Sequence, residues 1–475
     1  MNGEREVCVV GGGPAGAALA ARLARLGHDV VVVERHRFPR PHVGESLSPA
    51  IWPLLDTLGV GEQMATAGFT PAAEARVRWR AGGEERLRFD RDAGLEPGLT
   101  VDRAIFDAIM LQPARRAGAT VLTGAVDHRP ARREDGWDVP LNGGVLRARF
   151  LADASGRRRL LGGRRKPTAP RTLALHAIWA DGPPADGAQT RIEALAEGWL
   201  WGAHLPGGGF RAMAFVDPQA LVTAGDREPL YRRLLQASSM FDDLVSGARL
   251  IGRVQACDAT SYAADAPIDA HSVKVGEAAF AIDPLSSSGV QTAIQTGLAA
   301  AAAVHSILAP DGDSSAAIAF YGDHQRHAVE RHVATAASIY AEHRSHGDAE
   351  FWVRRAGGAA GDAGSPHAAR AKAPEAPSLA GLLHGRVRLA SAAALRDTPC
   401  LVGDRIELRR ALAHPALERP VAFLGGNELA PLLDDLQASS SLQDAVRGWE
   451  RRLPRGRARE IARWLYMRGL IEAAP

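Results

Sequence analysis

The chain has 475 residues, 46% apolar and 23% charged, with 57 basic against 54 acidic side chains. At about 100 to 200 residues per domain this length implies two to four units, and so ordinary a composition excludes collagen, wholesale disorder and a coiled coil. The net charge of +3 gives no reason to expect a nucleic-acid partner.

Three of the basic residues are lysine, Lys166, Lys274 and Lys372. Three cysteines, Cys8, Cys257 and Cys400, are odd in number and far apart, which suggests neither a disulfide framework nor a zinc site and fits a reducing cytoplasm. The alanine-rich run from Leu298 to Ala309 is too short and too weakly apolar for a membrane span. A soluble protein is expected, without metal, membrane or nucleic-acid attachment.

Residues Glu6 to Glu34 read as one βαβ unit. Val7, Cys8, Val9 and Val10 suit a buried parallel strand, Gly11 to Gly16 a turn, Ala17 to Leu26 a helix, and Asp29 to Val33 a second buried strand. The segment Thr70 to Phe89, where Arg76, Arg78 and Arg80 alternate with Val77 and Trp79, reads as half-buried strand, as does much of Thr190 to Val222. Val101 to Gly118 has helical spacing, and strand returns at Thr120 to Thr123 and at Leu151 to Asp153. Ala356 to Ser378 is alanine, glycine, proline and small polar residues, the composition of a linker. Beyond it, Glu428 to Gln437, Leu442 to Trp449 behind an N-cap at Ser441, and Arg457 to Arg468 read as three short amphipathic helices ending in Gly469, Leu470 and Ile471, an arrangement like a winged helix.

Gly11, Gly13 and Gly16 supply a GxGxxG turn between strand and helix, with Glu34 and Arg35 closing the next strand. The first glycine makes the turn, the second admits a pyrophosphate to the backbone, and the third lets helix pack on strand. Pro14 and Ala15 open a helix whose N-terminus faces phosphate charge. Glu34 can accept from both hydroxyls of an unphosphorylated ribose. A nucleotide cofactor is expected.

A second segment, Val275-Gly276-Glu277-Ala278-Ala279 through Ile282-Asp283-Pro284-Leu285 to Ser288-Gly289-Val290-Gln291, resembles the second flavin-contacting motif of the FAD-dependent monooxygenase and tryptophan-halogenase superfamily. The resemblance implies non-covalent FAD, with Asp283 on its ribityl or pyrophosphate part and Gly289 and Val290 at the pyrimidine edge. A helix N-terminus there stabilises the negative charge of reduced flavin. Glu277 departs from the family's usual aspartate. Val101 to Asp107 is similar to the segment whose arginine, here Arg103, reaches the FAD phosphates; Val126 matches the adenine-side contact, and Asp153-Ala154-Ser155-Gly156 the DASG turn.

The fold this implies is α/β: a Rossmann-type FAD-binding domain (1–69, 98–165 and 270–355), an interleaved β-rich substrate domain (70–97 and 166–269), a linker (356–378) and a small, mainly helical, winged-helix-like C-terminal domain (379–475). Arg37 to Leu47, including His42-Val43-Gly44-Glu45-Ser46, and Gly198-Trp199-Leu200-Trp201 resemble the branch holding tryptophan halogenases and their non-halogenating relatives. Halogenases continue WxWxIP, where this chain has Gly202, Ala203 and His204. They need a lysine after the first substrate-domain turn, and Gly68 to Ala73 has none. They place a glutamate after DPL, where Ser286 stands.

These departures are most like the flavoprotein monooxygenases that initiate tryptophylquinone formation in quinohemoprotein amine dehydrogenase. The implied activity is hydroxylation of an aromatic ring through a C4a-hydroperoxyflavin, on a peptide or protein tryptophan, with O₂ as co-substrate and NAD(P)H, directly or through a partner flavin reductase, as reductant. Trp199 and Trp201 are the expected wall of the ring site, and Glu45 and His204 the catalytic candidates. Other readings are a halogenase or hydroxylase of a free small aromatic molecule, an isoprenoid reductase, and a flavin-binding peptide adaptor. The C-terminal domain is expected to hold a polypeptide substrate, by strand addition to an exposed edge.

Overall fold

A computed structural model describes residues 4–80, 83–88, 96–124, 129–180, 189–343, 349–357 and 384–474. The chain divides into two compact units, one running to His305 and resuming at Tyr321, the other combining Ser306–Phe320 with the C-terminal residues.

The first unit contains two large sheets. In one, the strand Arg5–Val10 lies between Val30–Glu34 and Gly144–Asp153, both parallel to it. Thr120–Thr123 extends the sheet beyond Val30–Glu34, and Ser272–Lys274 runs parallel to the far end of Gly144–Asp153. Four consecutive valines, Val30 to Val33, are buried on both faces, as a strand covered on both sides of a parallel sheet requires. The helix Pro14–Arg25 packs on this sheet through Ala17, Ala18, Leu19, Ala21 and Leu23.

The second sheet is seven-stranded among the described residues. Its order is Arg249–Asp258, Leu173–Ala180, Phe210–Val216, Gly198–His204, Gln189–Leu195, Glu74–Arg78, Glu85–Arg88, and the Gln189–Leu195/Glu74–Arg78 pair is parallel. The expected strand reaching Val222 stops at Val216, because Pro218 opens the helix Pro218–Ala224. Alternation sends Leu175, Ala177, Trp179, Leu200, Phe210 and Ala212 to an outer face covered by Tyr231, Leu234 and Phe241. The inner face carries Ala174, Trp199, Trp201, Ala203, Met213 and Phe215, packed against Trp79, Tyr340, Phe351 and Trp352. Aromatic side chains of this kind each bury about 150–250 Å². At about 25 cal/mol per Å² each contributes about 4–6 kcal/mol of transfer free energy as an upper bound. This cluster fixes the inner face as a rigid wall.

The second unit has its own core of Leu412, Leu429, Leu433, Leu436, Trp449, Ile461 and Leu465. Its three helices, Leu429–Ala438, Leu442–Glu450 and Arg457–Met467, stand where the apolar spacing puts them, and Ser441 Oγ accepts from Asp444 N at the second helix's start. The hairpin Ala394–Val402/Arg405–Ala413 precedes the helices, and Ile471–Ala473 pairs back on Val387–Leu389. Ser306–Phe320 joins this unit rather than the expected 270–355 segment, since Ile406 N donates to Ser306 Oγ at 2.7 Å and Arg405 pairs with Asp311 at 2.8 Å.

Candidate active site

The glycine turn distinguishes structural from ligand-facing positions. At Gly11, whose φ is +111°, an added Cβ would lie 2.3 Å from Ala154 O, and at Gly16 it would lie 2.0 Å from Gly11 O. Both collisions are with backbone, so these two glycines are needed for packing. At Gly13 the added Cβ would meet one atom, Arg40 Nη2 at 3.4 Å. Gly13 therefore borders open space at the start of the Pro14–Arg25 helix, where the N–H groups of Ala15 and Gly16 lack intrahelical acceptors.

Glu34 is buried at the end of its strand, with Oε2 accepting from Gly12 N at 2.9 Å and Oε1 from His36 N at 3.0 Å; Arg35, the next residue, is exposed. Arg40 spans the space between, 3.3 Å from Asp107 Oδ2. Its buried Nε has no hydrogen-bond partner, the Glu34 carboxylate lying 4.0 Å away. An unpaired guanidinium nitrogen beside an open glycine and a helix N-terminus fits the diphosphate of FAD. The sequence reading assigned no role to Arg40; its signal was a single cation held between Pro39 and Pro41.

Arg103 does a different job from the one its resemblance implies. Its guanidinium donates to both carboxylate oxygens of Asp107, at 2.9 and 3.2 Å, and to the carbonyls of Val43 and Gly44, at 2.9 and 3.3 Å. A head so engaged clamps the Val43–Gly44 loop and is not open to a phosphate. Val126 lies outside the described residues.

The second motif is seated directly on the first. An added Cβ at Gly276 would come 2.9 Å from Ala15 Cβ, and one at Gly297 would come 2.4 Å from Ala15 O. This contact brings the helix Gly289–Leu308 against the start of the Pro14–Arg25 helix. Gly289 is exposed with nothing within 4 Å of its added Cβ, and Val290 is half-buried beside it. Gln291 accepts from Ser48 Oγ at 2.7 Å, tying the helix start to the loop that carries Glu45. Asp283 turns to the chain's own groups: Oδ1 accepts from Leu285 N at 3.0 Å, and Tyr340 Oη donates to the carboxylate at 3.1 Å. Burial raises the Asp283 carboxyl above the usual aspartate range. Beside it lies a cavity of about 100 Å³ lined by Ser261, Ile282, His332, Tyr340 and Arg355. Glu277, the departure noted in the sequence, pairs with Arg157 at 2.9 Å.

On the inner face of the substrate sheet, side chains form cross-strand rows. Trp199 lies opposite Phe215, stacked at 3.9 Å, and Phe215 opposite Ala174. In the next row Trp201 lies opposite Met213 and Met213 opposite His176. Then come Ala203, Arg211 and Ile178. Glu45, buried on its loop, places Oε1 2.7 Å from Arg211 Nε, while Oε2 accepts from Gly44 N at 3.0 Å. Arg211 Nη1 stands 3.1 Å from His176 Nδ1. Burial and the Arg211 charge push the His176 imidazole down to about 4.

The structure thus brings Glu45, Trp199 and Trp201 to one face. His204 is a correction: one residue beyond Ala203, it points to the opposite face and packs edge-on against Phe210 of the outer core. Arg211 and His176 were missed, although each is the one polar side chain in an otherwise apolar strand core. Among the described residues no cluster of acidic, histidine or cysteine side chains could hold a metal, and no helix is long and apolar enough to cross a membrane.

The profile of a family described as "FAD binding domain" matches residues 4–140, and that of "Tryptophan halogenase" matches residues 84–364. The chain is 32% identical over 373 residues to Tryptophan 2-halogenase of Chondromyces crocatus, covering 73% of this chain and 70% of that one. Among solved structures, the peptidyl tryptophan dihydroxylase QhpG, essential for tryptophylquinone cofactor biogenesis, aligns with a TM-score of 0.74 and 26% identity over 98% of this chain and all of its own. The flavin-dependent halogenase CmlS shares the fold, with a TM-score of 0.77 and 24% identity, over 100% of this chain and 96% of that one.

Proposed function

The chain belongs to the tryptophan halogenase family of FAD-dependent oxidoreductases, and from that premise we propose that it hydroxylates the indole of a tryptophan held in a peptide or protein. The observation that carries this reading is the substrate face itself. Lys166 and Lys274 lie on other strands, in Arg165–Pro167 and Ser272–Lys274, and Lys372 is outside the described residues. The cation at the heart of the inner face is Arg211, a permanently protonated guanidinium occupied by Glu45 and His176. It offers no free amine to carry an electrophilic halogen, as the lysine of halogenases is understood to do.

Bound FAD, once reduced, supplies an electrophilic oxygen from O₂ to an electron-rich ring. The chain's own residues bind, orient and keep dry. Arg40 and the Gly13 turn hold the diphosphate. The loop clamped by Arg103 sets Glu45, and Glu45 sets Arg211 on the sheet. Trp201 and Met213 are assigned as the apolar edge against which an indole lies, backed by Trp199 and Phe215 closed within the aromatic core, and water exclusion there protects the oxygen-transfer step. We assign NAD(P)H, directly or through a partner flavin reductase, as the electron source. The C-terminal unit is assigned to holding the polypeptide, with the hairpin Ala394–Val402/Arg405–Ala413 as the edge to which a strand adds.

The similarity to QhpG, a peptidyl tryptophan dihydroxylase, supports this reading over a free small-molecule substrate. The test is oxygen uptake by FAD-loaded protein with NADH, a flavin reductase and a tryptophan-containing peptide. Uptake that rises with peptide and yields an oxygenated peptide is expected. Uptake indifferent to every tryptophan peptide, with turnover of free indoles instead, would replace the substrate class.

A further inference from the structure

Arginine has donors and no acceptor, so the contact between Arg211 Nη1 and His176 Nδ1 decides the histidine's tautomer. Nδ1 must be the acceptor, and the proton of the neutral ring must sit on Nε2. Arg211 is itself fixed from behind by Glu45, whose second oxygen is held by Gly44 N. A protonated His176 would turn an N–H toward the guanidinium, so this arrangement keeps the ring neutral. His176 is thereby a hydrogen-bond donor and not a general base. Among the described residues no group accepts from Nε2.

A second donor stands in the same row. Trp201 Nε1 is buried, on a residue 6% exposed, and has no hydrogen-bond partner. Trp201, Met213 and His176 are consecutive cross-strand neighbours. Strands about 4.8 Å apart put Trp201 and His176 about 10 Å apart, the span of about three extended residues. The buried Trp201 N–H without an acceptor is costly, and with the His176 N–H in the same row it asks for a ligand rich in acceptors. The main chain of an extended peptide is such a ligand.

We propose that His176 Nε2–H and Trp201 Nε1–H bind main-chain carbonyl oxygens flanking the substrate tryptophan, so that this row selects an acylated, amidated tryptophan over a bare indole. Glu45 and Arg211 are positioning residues for His176. The inference rests on the reading of the substrate as peptidyl tryptophan.

The test uses FAD-loaded protein and two probes, N-acetyl-tryptophanamide and 3-methylindole, titrated by the change in flavin absorbance. Wild type should bind the amide more tightly. His176→Leu should weaken the amide about tenfold and 3-methylindole hardly at all. His176→Gln, whose Oε1 can accept from Arg211 and whose Nε2 can donate, should stay within about twofold of wild type. Nitrogen-labelled histidine spectra of the unliganded protein should show His176 with a bare Nδ1 and a protonated Nε2 throughout neutral pH. Equal weakening of both probes in His176→Leu would make the residue merely structural and overturn the proposal. So would a Gln variant as weak as the Leu variant, or a proton found on Nδ1. Turnover is not read here, so amide binding that depends on His176 in a protein that oxidises no tryptophan peptide would fault the reaction and leave the binding row standing.

Discussion

Arg211 Nε lies 2.7 Å from Glu45 Oε1 with both side chains almost fully buried, joining a loop of the nucleotide-binding region to the middle of the substrate sheet. The same loop is clamped by Arg103 and anchored through Ser48 to Gln291. The position of the substrate face relative to the flavin motifs thus depends on one ion pair and the hydrogen bonds that hold its loop.

Breaking that pair should be expensive. Glu45→Gln leaves Arg211 charged, buried and uncompensated, and a loss of about 3–5 kcal/mol is expected for removing one partner of a buried ion pair. Urea unfolding measures it. The double variant Glu45→Gln with Arg211→Met should recover much of that stability, because it removes the stranded charge, while still failing to turn over a peptide. A single variant within about 1 kcal/mol of wild type would show that the pair carries little of the fold.

Gly13 and Gly16 should separate binding from folding. Gly13→Val places its side chain in open space beside Arg40, so the protein should fold and lose flavin. Gly16→Val drives Cβ into Gly11 O and should not give soluble folded protein. Flavin absorbance and circular dichroism of the two variants check this. Full flavin occupancy in Gly13→Val would remove the nucleotide-site assignment.

His176 should leave a mark on the pH dependence of stability. Its imidazole is held down to about 4, against an ordinary value of 6.5. Between these values the unfolded chain binds a proton that the folded chain refuses, so acidification favours unfolding. The contribution is complete above about pH 6.5 and is lost as pH falls toward 4, about 3 kcal/mol in all at about 1.4 kcal/mol per pH unit. Asp283, whose carboxyl is raised by burial, acts in the opposite sense near the acid end. The comparison is therefore with His176→Gln, which should lose less stability than wild type between pH 7 and pH 5. Parallel losses would show that His176 titrates normally.

Much of this site was legible in the residues. The glycine turn and the pairing of Trp199 with Trp201 on one face follow from spacing, and the second flavin motif from its resemblance to the family's. Period-two alternation also places His204 opposite to them, and applying it there would have removed the residue from the catalytic candidates. Arg211 and His176 stand out as single polar residues in apolar strands, yet nothing local reveals that their strands are neighbours or that Glu45 reaches them from a distant loop. Long-range pairing decides that. Arg40 and Arg103 show the same limit, since two arginines near the cofactor motifs look alike in sequence and both reach Asp107, yet every guanidinium nitrogen of Arg103 is engaged while Arg40 Nε is left without a partner.

The central claim is oxygen transfer to a peptidyl indole on a face without a halogen-carrying lysine. The most direct measurement is the mass spectrum of a tryptophan-containing peptide after turnover by FAD-loaded protein, with a flavin reductase, NADH, isotopically labelled O₂, and chloride and bromide both present. The expected product carries labelled oxygen on the tryptophan and no halogen. A chlorinated or brominated tryptophan formed at a comparable rate would contradict the account and require another carrier group on the substrate face.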